Sequence, residues 1–285
     1  MDRSLRVRAH SHQPAALAQS PPLPNDRRPR DIGIMTEQSS RIEITRDTLR
    51  DGALIEAARR RMAPGMKVRT DHEIAGCLHD MLKGHPPGED VWLFGYGSLM
   101  WNPAMHFVQQ CAGRVQGWHR SYCLWLEAGR GSPENPGLML ALDRGGASAG
   151  ALFRVPADQA REELLLPFRR ELFTYSYEAR WVTVAADAGS VRALTFVVNR
   201  LGPRYVHRLD PGKIARHIAT ATGPLGSCME YLTRTLGSLD ALGLDDQMLR
   251  EVHRLCLAHA AVPGKAAPTI KCDSTSAKLP YQTDA

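Results

Sequence analysis

The segment Val91-Trp92-Leu93-Phe94-Gly95-Tyr96-Gly97-Ser98-Leu99-Met100-Trp101-Asn102-Pro103 constrains this chain more than any other stretch. It opens as a short apolar run rich in Val, Leu, Trp and Phe, the make-up of a buried strand. It then breaks into Gly-Tyr-Gly-Ser. Two glycines around one aromatic let the backbone turn sharply and leave its N–H groups uncovered, so such a strand ends either in a tight turn or in a cradle for an anion. A phosphate loop would need Lys followed by Ser or Thr after the second glycine, and a dinucleotide fingerprint would need a third glycine. Leu99, Met100 and Trp101 stand there instead. An apolar, aromatic-rimmed loop suits the carboxylate of a small amino-acid-like ligand better than a nucleotide.

The sequence around this strand alternates between two periods. Val91–Tyr96, Val115–Leu126, Gly137–Asp143, Gly150–Val155, Ala179–Ala185 and Val191–Val198 are short runs bounded by Gly, Pro or charged turns, and each predicts a strand. Helical spacing covers Thr48 to Met62 (Leu49, Leu54, Ile55, Ala58 and Met62 on one face), Asp71 to Leu82 with Asp71 as N-cap, and Asp158 to Phe173 with a break near Pro167. Asp210-Pro211 opens a further helix, since proline fits a first turn. Cys228–Leu239 and Leu244–Ala260 complete the helical last third. Strands with one inserted helix and a helical end predict an α+β fold with a mixed sheet closing on itself. Residues 1–40 and 263–285 are rich in Pro, Ser, Arg, Lys and Thr without hydrophobic period, which predicts disordered tails. Between them the reading is a helical segment over 41–88 and a main domain over 89–262.

Composition excludes several classes. No run approaches the ~20 apolar residues of a membrane span, and the N-terminus lacks the apolar core of a secretory signal. Six cysteines are scattered without a CxxC pair, which reads as reduced thiols in a cytoplasmic protein rather than a disulfide framework. The formal charge is +6, but the excess clusters in Arg3, Arg6, Arg8, Arg27, Arg28 and Arg30, then in Arg59, Arg60 and Arg61. No nucleic-acid-binding motif accompanies it. His72 and His79 lie two turns apart without a third ligand at useful spacing, so no metal site is expected.

Glu171 stands out chemically. It is three residues after Phe168 and seven after Leu164, so it shares the apolar face formed by Leu164, Leu165, Phe168 and Leu172, while Arg169 and Arg170 point elsewhere. A carboxylate on a core-facing stripe loses solvation and its pKa rises, which suits a proton shuttle near neutrality. If Pro167 resets the helical phase, Glu171 is instead solvated or paired with Arg.

Phe94-Gly95-Tyr96-Gly97-Ser98-Leu99-Met100-Trp101-Asn102-Pro103 closely resembles the FGYGSL-x-W-x-P signature of ChaC-type γ-glutamylcyclotransferases. Arg130-Gly131-Ser132-Pro133 with Pro136-Gly137, Gly150-Ala151-Leu152-Phe153-Arg154-Val155, Arg170-Glu171 ahead of Tyr175-Ser176-Tyr177, and Met229-Glu230-Tyr231-Leu232 resemble further blocks of that family, in order, from about residue 90 to 260. The chain departs from the pattern at Cys228, two residues before Glu230, where relatives usually carry Asn, and at Leu138, where many carry Arg. The resemblance implies a small mixed β-barrel of the γ-glutamylcyclotransferase type with peripheral helices. It implies Glu171 as the catalytic group and Gly95, Tyr96, Gly97, Ser98, Leu99 and Met100 as the loop that holds a γ-glutamyl head. Arg130 and Tyr175 are candidate contacts to a carboxylate. The implied reaction cleaves glutathione, a small-molecule partner, to 5-oxoproline and Cys-Gly, and needs no metal, cofactor or covalent nucleophile. Ser98 lacks the context of an activated nucleophile. The alternatives are a cyclotransferase for other γ-glutamyl amino acids or amines, and a non-catalytic module that binds glutathione.

Overall fold

The computed structural model describes residues 42–61 and 66–260. The expectations for the two tails and for Met62 lie outside these residues. Five strands form a closed barrel: β1 (Val91–Gly95), β2 (Gln109–Leu126), β3 (Gly137–Val155), β4 (Tyr177–Ala186) and β5 (Gly189–Val198). They are ordered β1-β3-β2-β4-β5. Neighbours are antiparallel except at the closure, where β1 runs parallel to β5 with Trp92 opposite Ala193 and Leu93 opposite Leu194. The fold is α+β, as the two sequence periods require. Phe94, Val115, Leu142, Leu152, Val184 and Val197 form one core cluster. A larger one joins Leu93, Leu140, Phe153, Leu194 and Phe196 of the barrel to the surrounding helices.

Two of the expected strands are one. Gly137–Asp143 and Gly150–Val155 belong to the continuous β3, and β2 starts six residues earlier than its β-branched stretch suggested, at Gln109. The reason is a corner. Gly145 and Gly146 have φ of 96° and 65°, Gly117 opposite them has φ 79°, and the β2–β3 register shifts between Gln116 and Trp118. Glycines in this region of φ bend a paired ribbon without ending it. In sequence the same glycines read as a loop.

Seven helices surround the barrel among the described residues. The expected helix over Thr48–Met62 is split into α1 (Arg46–Arg50) and α2 (Ala53–Arg61), because Gly52 turns the chain at φ 77° and the Asp51 carboxylate accepts the Ala53 N–H. α3 (Asp71–Lys83) is capped by Thr70 rather than Asp71. The Thr70 side chain accepts from the Glu73 N–H and the Glu73 carboxylate accepts from the Thr70 N–H, a reciprocal pair that outcompetes a lone Asp. α4 (Ala160–Leu172) runs through Pro167 unbroken, so the helical phase holds to its end. α5 (Pro211–Thr220) starts on the Asp210 cap as expected. A two-residue hairpin, β6 (Thr222–Gly223) and β7 (Gly226–Ser227), leads into α6 (Cys228–Ala241), and α7 (Gln247–Ala260) follows. No helix among the described residues is long and apolar enough to cross a membrane.

Candidate active site

β1 ends at Gly95, and the chain enters a single 3-10 turn over Ser98–Met100. Within it the Met100 N–H donates to the Gly97 carbonyl at 2.9 Å and the Asn102 N–H to the Ser98 carbonyl at 2.9 Å. The N–H groups that open such a turn have no carbonyl inside it to reach, and no side chain caps it. Arg120 of β2 holds the loop from behind. Its Nε donates to the Tyr96 carbonyl at 2.7 Å, its Nη2 to the Ala149 carbonyl at 2.6 Å, and its Nη1 pairs with the Asp246 carboxylate just before α7. With the Tyr96 carbonyl turned toward Arg120, the loop's conformation is fixed by a buried ion pair that the sequence did not reveal. Gly97 is a close approach: a Cβ there would stand 2.5 Å from the Tyr231 hydroxyl oxygen.

Tyr96, Gly97, Ser98 and Leu99 line a cavity with Met139 and Leu140 of β3, Glu171 of α4, Tyr177 of β4, Phe196 of β5 and Tyr231 of α6. Its volume is about 20 Å³, room for about one water molecule. Glu171 reaches it because α4 keeps its phase past Pro167. Leu164, Phe168 and Leu172 are buried on the same face. The Glu171 side chain retains 14 % exposure, and burial raises its carboxyl above the ordinary value, opposed by the nearby Arg170 charge. The expectation that Arg170 points elsewhere is corrected: its Nε lies 3.1 Å from a Glu171 oxygen and its Nη1 donates to the Asn102 carbonyl at 2.5 Å. Arg169 does turn away, bonding the Leu49 and Arg50 carbonyls.

Three phenols complete the cavity. The Tyr177 hydroxyl donates to the Leu140 carbonyl at 2.8 Å. Burial above all, with the Glu171 charge adding to it, pushes the hydroxyls of Tyr96, Tyr177 and Tyr231 upward. All three therefore stay protonated; the Tyr177 proton is already given to the Leu140 carbonyl, which leaves Tyr96 and Tyr231 as hydrogen-bond donors. A carboxylate of raised pKa, facing uncapped backbone N–H groups and neutral phenols, can take a proton from an amine and return it while the donors stabilise a developing oxyanion.

The expected residues do not all gather here. Gly95 stays in the barrel wall, where a Cβ would meet Leu99 Cβ at 3.1 Å, and Met100 is buried in the larger core cluster. Arg130 is buried in a neighbouring position, donating to the Ser227 carbonyl at 2.9 Å. Tyr175 is turned to the surface, stacked 4.2 Å from the Arg69 guanidinium, with its hydroxyl toward Glu73. Tyr177, where β4 begins, supplies the phenol instead; the two share strand parity, so alternation alone did not separate them. Met139, Leu140 and Phe196 carried no signal in sequence beyond strand propensity. Cys228 is buried, its thiol donating to the Arg130 carbonyl at 3.2 Å.

Comparison with known proteins gives a consistent result. The model of a family described as ChaC-like protein matches residues 91–258. A glutathione-specific γ-glutamylcyclotransferase of Escherichia coli strain K12 is 41% identical over 179 residues, covering 62% of this chain and 78% of that protein. γ-Glutamylcyclotransferase 2-1 of Arabidopsis thaliana is 31% identical over 157 residues, covering 50% and 70%. Among solved structures, a yeast γ-glutamyl cyclotransferase specific to glutathione superposes with a TM-score of 0.55 at 18% identity, over 60% of this chain and 96% of that one. At that identity the likeness is one of fold.

Proposed function

The chain belongs to the ChaC-like family, and on that premise we propose that it is a γ-glutamylcyclotransferase that splits glutathione into 5-oxoproline and Cys-Gly. The observation that carries this reading is the Glu171 carboxylate, held above its ordinary pKa on the wall of a cavity shared with Gly97, Ser98 and Leu99. The curated relatives named above, both γ-glutamylcyclotransferases and one of them specific for glutathione, support it.

In this mechanism the substrate's α-amine attacks its own γ-carbonyl. A C–N bond forms to close a five-membered lactam, and the amide bond to the cysteine nitrogen breaks. Both reactants lie in one molecule, so folding the γ-glutamyl head back supplies most of the proximity the reaction needs. Proton traffic remains. The attacking nitrogen enters as an ammonium and ends as a lactam N–H, losing two protons, and the departing amine gains two. Glu171 takes and returns these protons. The N–H groups opening the Ser98 turn and the phenols of Tyr96 and Tyr231 hold the oxyanion that forms on the γ-carbonyl. The cavity is too small for the head as it stands, so binding moves part of its wall.

Residues 89–262 make up the catalytic domain in this reading, and 41–88 a helical addition. The five cysteines among the described residues are unpaired, which fits a reducing cytoplasm. Incubating the purified protein with glutathione and assaying 5-oxoproline tests the proposal. Absence of 5-oxoproline from every γ-glutamyl compound tried, with glutathione still bound, would replace the enzyme with a binding module.

A further inference from the structure

Beside the Glu171 cavity lies a second, larger one of about 290 Å³, lined by Ile42, Glu43, Ile44, Thr45, Trp101, Asn102, Arg130, Leu225 and Arg234. Two contacts tie it to the first. The Tyr231 ring, which lines the Glu171 cavity, meets the Trp101 ring edge-on with centroids 6.1 Å apart. Arg170 pairs with Glu171 and also donates to the Asn102 carbonyl. The outer wall is the extended strap 42–45, which precedes the family-matched stretch. It is fastened by the Ile42 N–H to the Pro224 carbonyl at 2.9 Å and by the Asn102 amide to the Ile44 carbonyl at 2.8 Å.

The pocket's chemistry is that of a carboxylate receptor. Arg130 is buried, with its guanidinium 5.9 Å from the Trp101 ring centre and 5.7 Å from that of Tyr231. Arg234, exposed, places its guanidinium 5.0 Å from the centre of the same Trp101 ring. Both lean on the same carboxylate: Glu230 lies 3.8 Å from Arg130 and 3.5 Å from Arg234. Neither separation is a close bidentate pair, so each fork keeps donors for another oxyanion. The acidic residue of the lining, Glu43, is exposed on the strap. The first cavity holds about one water, so a tripeptide's remaining two residues need space of this second kind, next to the reacting centre and close to the lower end of ordinary ligand pockets.

We propose that this strap-covered pocket is the subsite for the Cys-Gly half of the substrate, with Arg130 and Arg234 receiving the free carboxylate at its far end and Trp101 backing it. The inference rests on the glutathione reading above and deepens it. It makes the preference for a γ-glutamyl dipeptide tail over a bare γ-glutamyl amino acid a property of two guanidiniums. Arg234 belongs to neither the loop nor the proton shuttle.

The test compares glutathione with its glycine amide, which lacks only that carboxylate. For the wild type, KM for the amide should exceed that for glutathione by at least about tenfold, the scale of one charged hydrogen-bond pair. Arg234→Ala should raise KM for glutathione and leave KM for the amide near its wild-type value, with the loss in KM rather than in kcat. Arg234→Lys, which keeps the charge but not the fork, should fall between. Equal effects of Arg234→Ala on the two compounds, or no discrimination by the wild type, would overturn the subsite. Calorimetric titration with both compounds separates this from failure of the catalytic reading. A protein that releases no 5-oxoproline but binds glutathione more tightly than its amide keeps the pocket and loses the enzyme, whereas equal affinities reject the pocket.

Discussion

At Glu171 one side chain carries two measurable consequences. Glu171→Gln keeps shape and hydrogen bonding but accepts no proton, so 5-oxoproline release should fall by about 10²–10⁴-fold or more, the range for acid–base groups. Glutathione affinity by calorimetry should be retained. Because burial holds this carboxyl above its ordinary value, the fold favours its protonated form. That contribution is complete below the unfolded value near about 4.3 and is lost as pH rises through the folded one. The melting temperature of Glu171→Gln should therefore gain on the wild type between pH 4 and pH 8, and the acid limb of wild-type kcat/KM should lie above the ordinary carboxylate range. Gly97 offers a separate check. A Cβ there stands 2.5 Å from the Tyr231 hydroxyl oxygen but 3.7 Å from the ring carbon bearing it. Gly97→Ala should destabilise, and Tyr231→Phe in that background should restore part of the loss, a non-additive pair in denaturant titration. The sequence made Glu171 and the glycine loop legible because periodicity and glycine spacing are local. Tyr177 and Tyr231 stand in blocks that resemble the family, but their approach to Glu171 is made by a strand and a helix far along the chain, and nothing near Arg120 in sequence marks its place behind the loop.

Among the elements, β1 and α4 were readable in place, since one is a short apolar run and the other a clear 3.6-residue stripe. The long bent ribbon of β2 and β3 was not, because Gly117, Gly145 and Gly146 serve a barrel corner with the same conformation that ends a strand elsewhere. Thr70 shows the same limit on a smaller scale: the cap is decided by its reciprocal bonds with Glu73, one residue before the Asp that looks like a cap. The connection between the loop and α7 is the most testable of the tertiary links. Asp246 accepts from the Leu249 N–H at the start of α7 and pairs with Arg120 behind the loop. Asp246→Asn should leave the Arg120 charge buried without its partner and cost about 3–5 kcal/mol. At temperatures where it remains folded, its kcat should fall more than its KM changes, because the Tyr96 carbonyl is no longer fixed. A variant with wild-type kcat would make this ion pair purely structural.

For the whole molecule, the N-terminal helix α1 is fastened to α4, the helix that carries Glu171. The buried Glu163 of α4 pairs with Arg46 of α1 and accepts the His106 N–H at 2.8 Å. Burial opposes its charge, but Arg46 and the His106 N–H outweigh it and hold the carboxyl below its usual range. Arg46→Ala should cost about 3–5 kcal/mol near neutrality. The gap from wild type should narrow as pH falls through the folded pKa of Glu163, since a lowered carboxyl stabilises only above it. A chain trimmed to 41–262 should unfold cooperatively and turn over glutathione, because the removed tails carry too little apolar surface to add to a core. One trimmed to 66–262 loses Arg46 and the strap and should do neither as well, as thermal melts and 5-oxoproline release would show. The closure of the barrel bears on how such a chain is made. Leu93 meets its parallel partner only at Leu194, and its antiparallel one at Phe153. At ordinary translation speeds β1 leaves the ribosome on the order of ten seconds before β5 exists. Through that interval its apolar edge has no native partner, so it is the segment a chaperone would grip. Slowing elongation between the two strands should lower soluble yield while leaving the finished protein's activity per molecule unchanged.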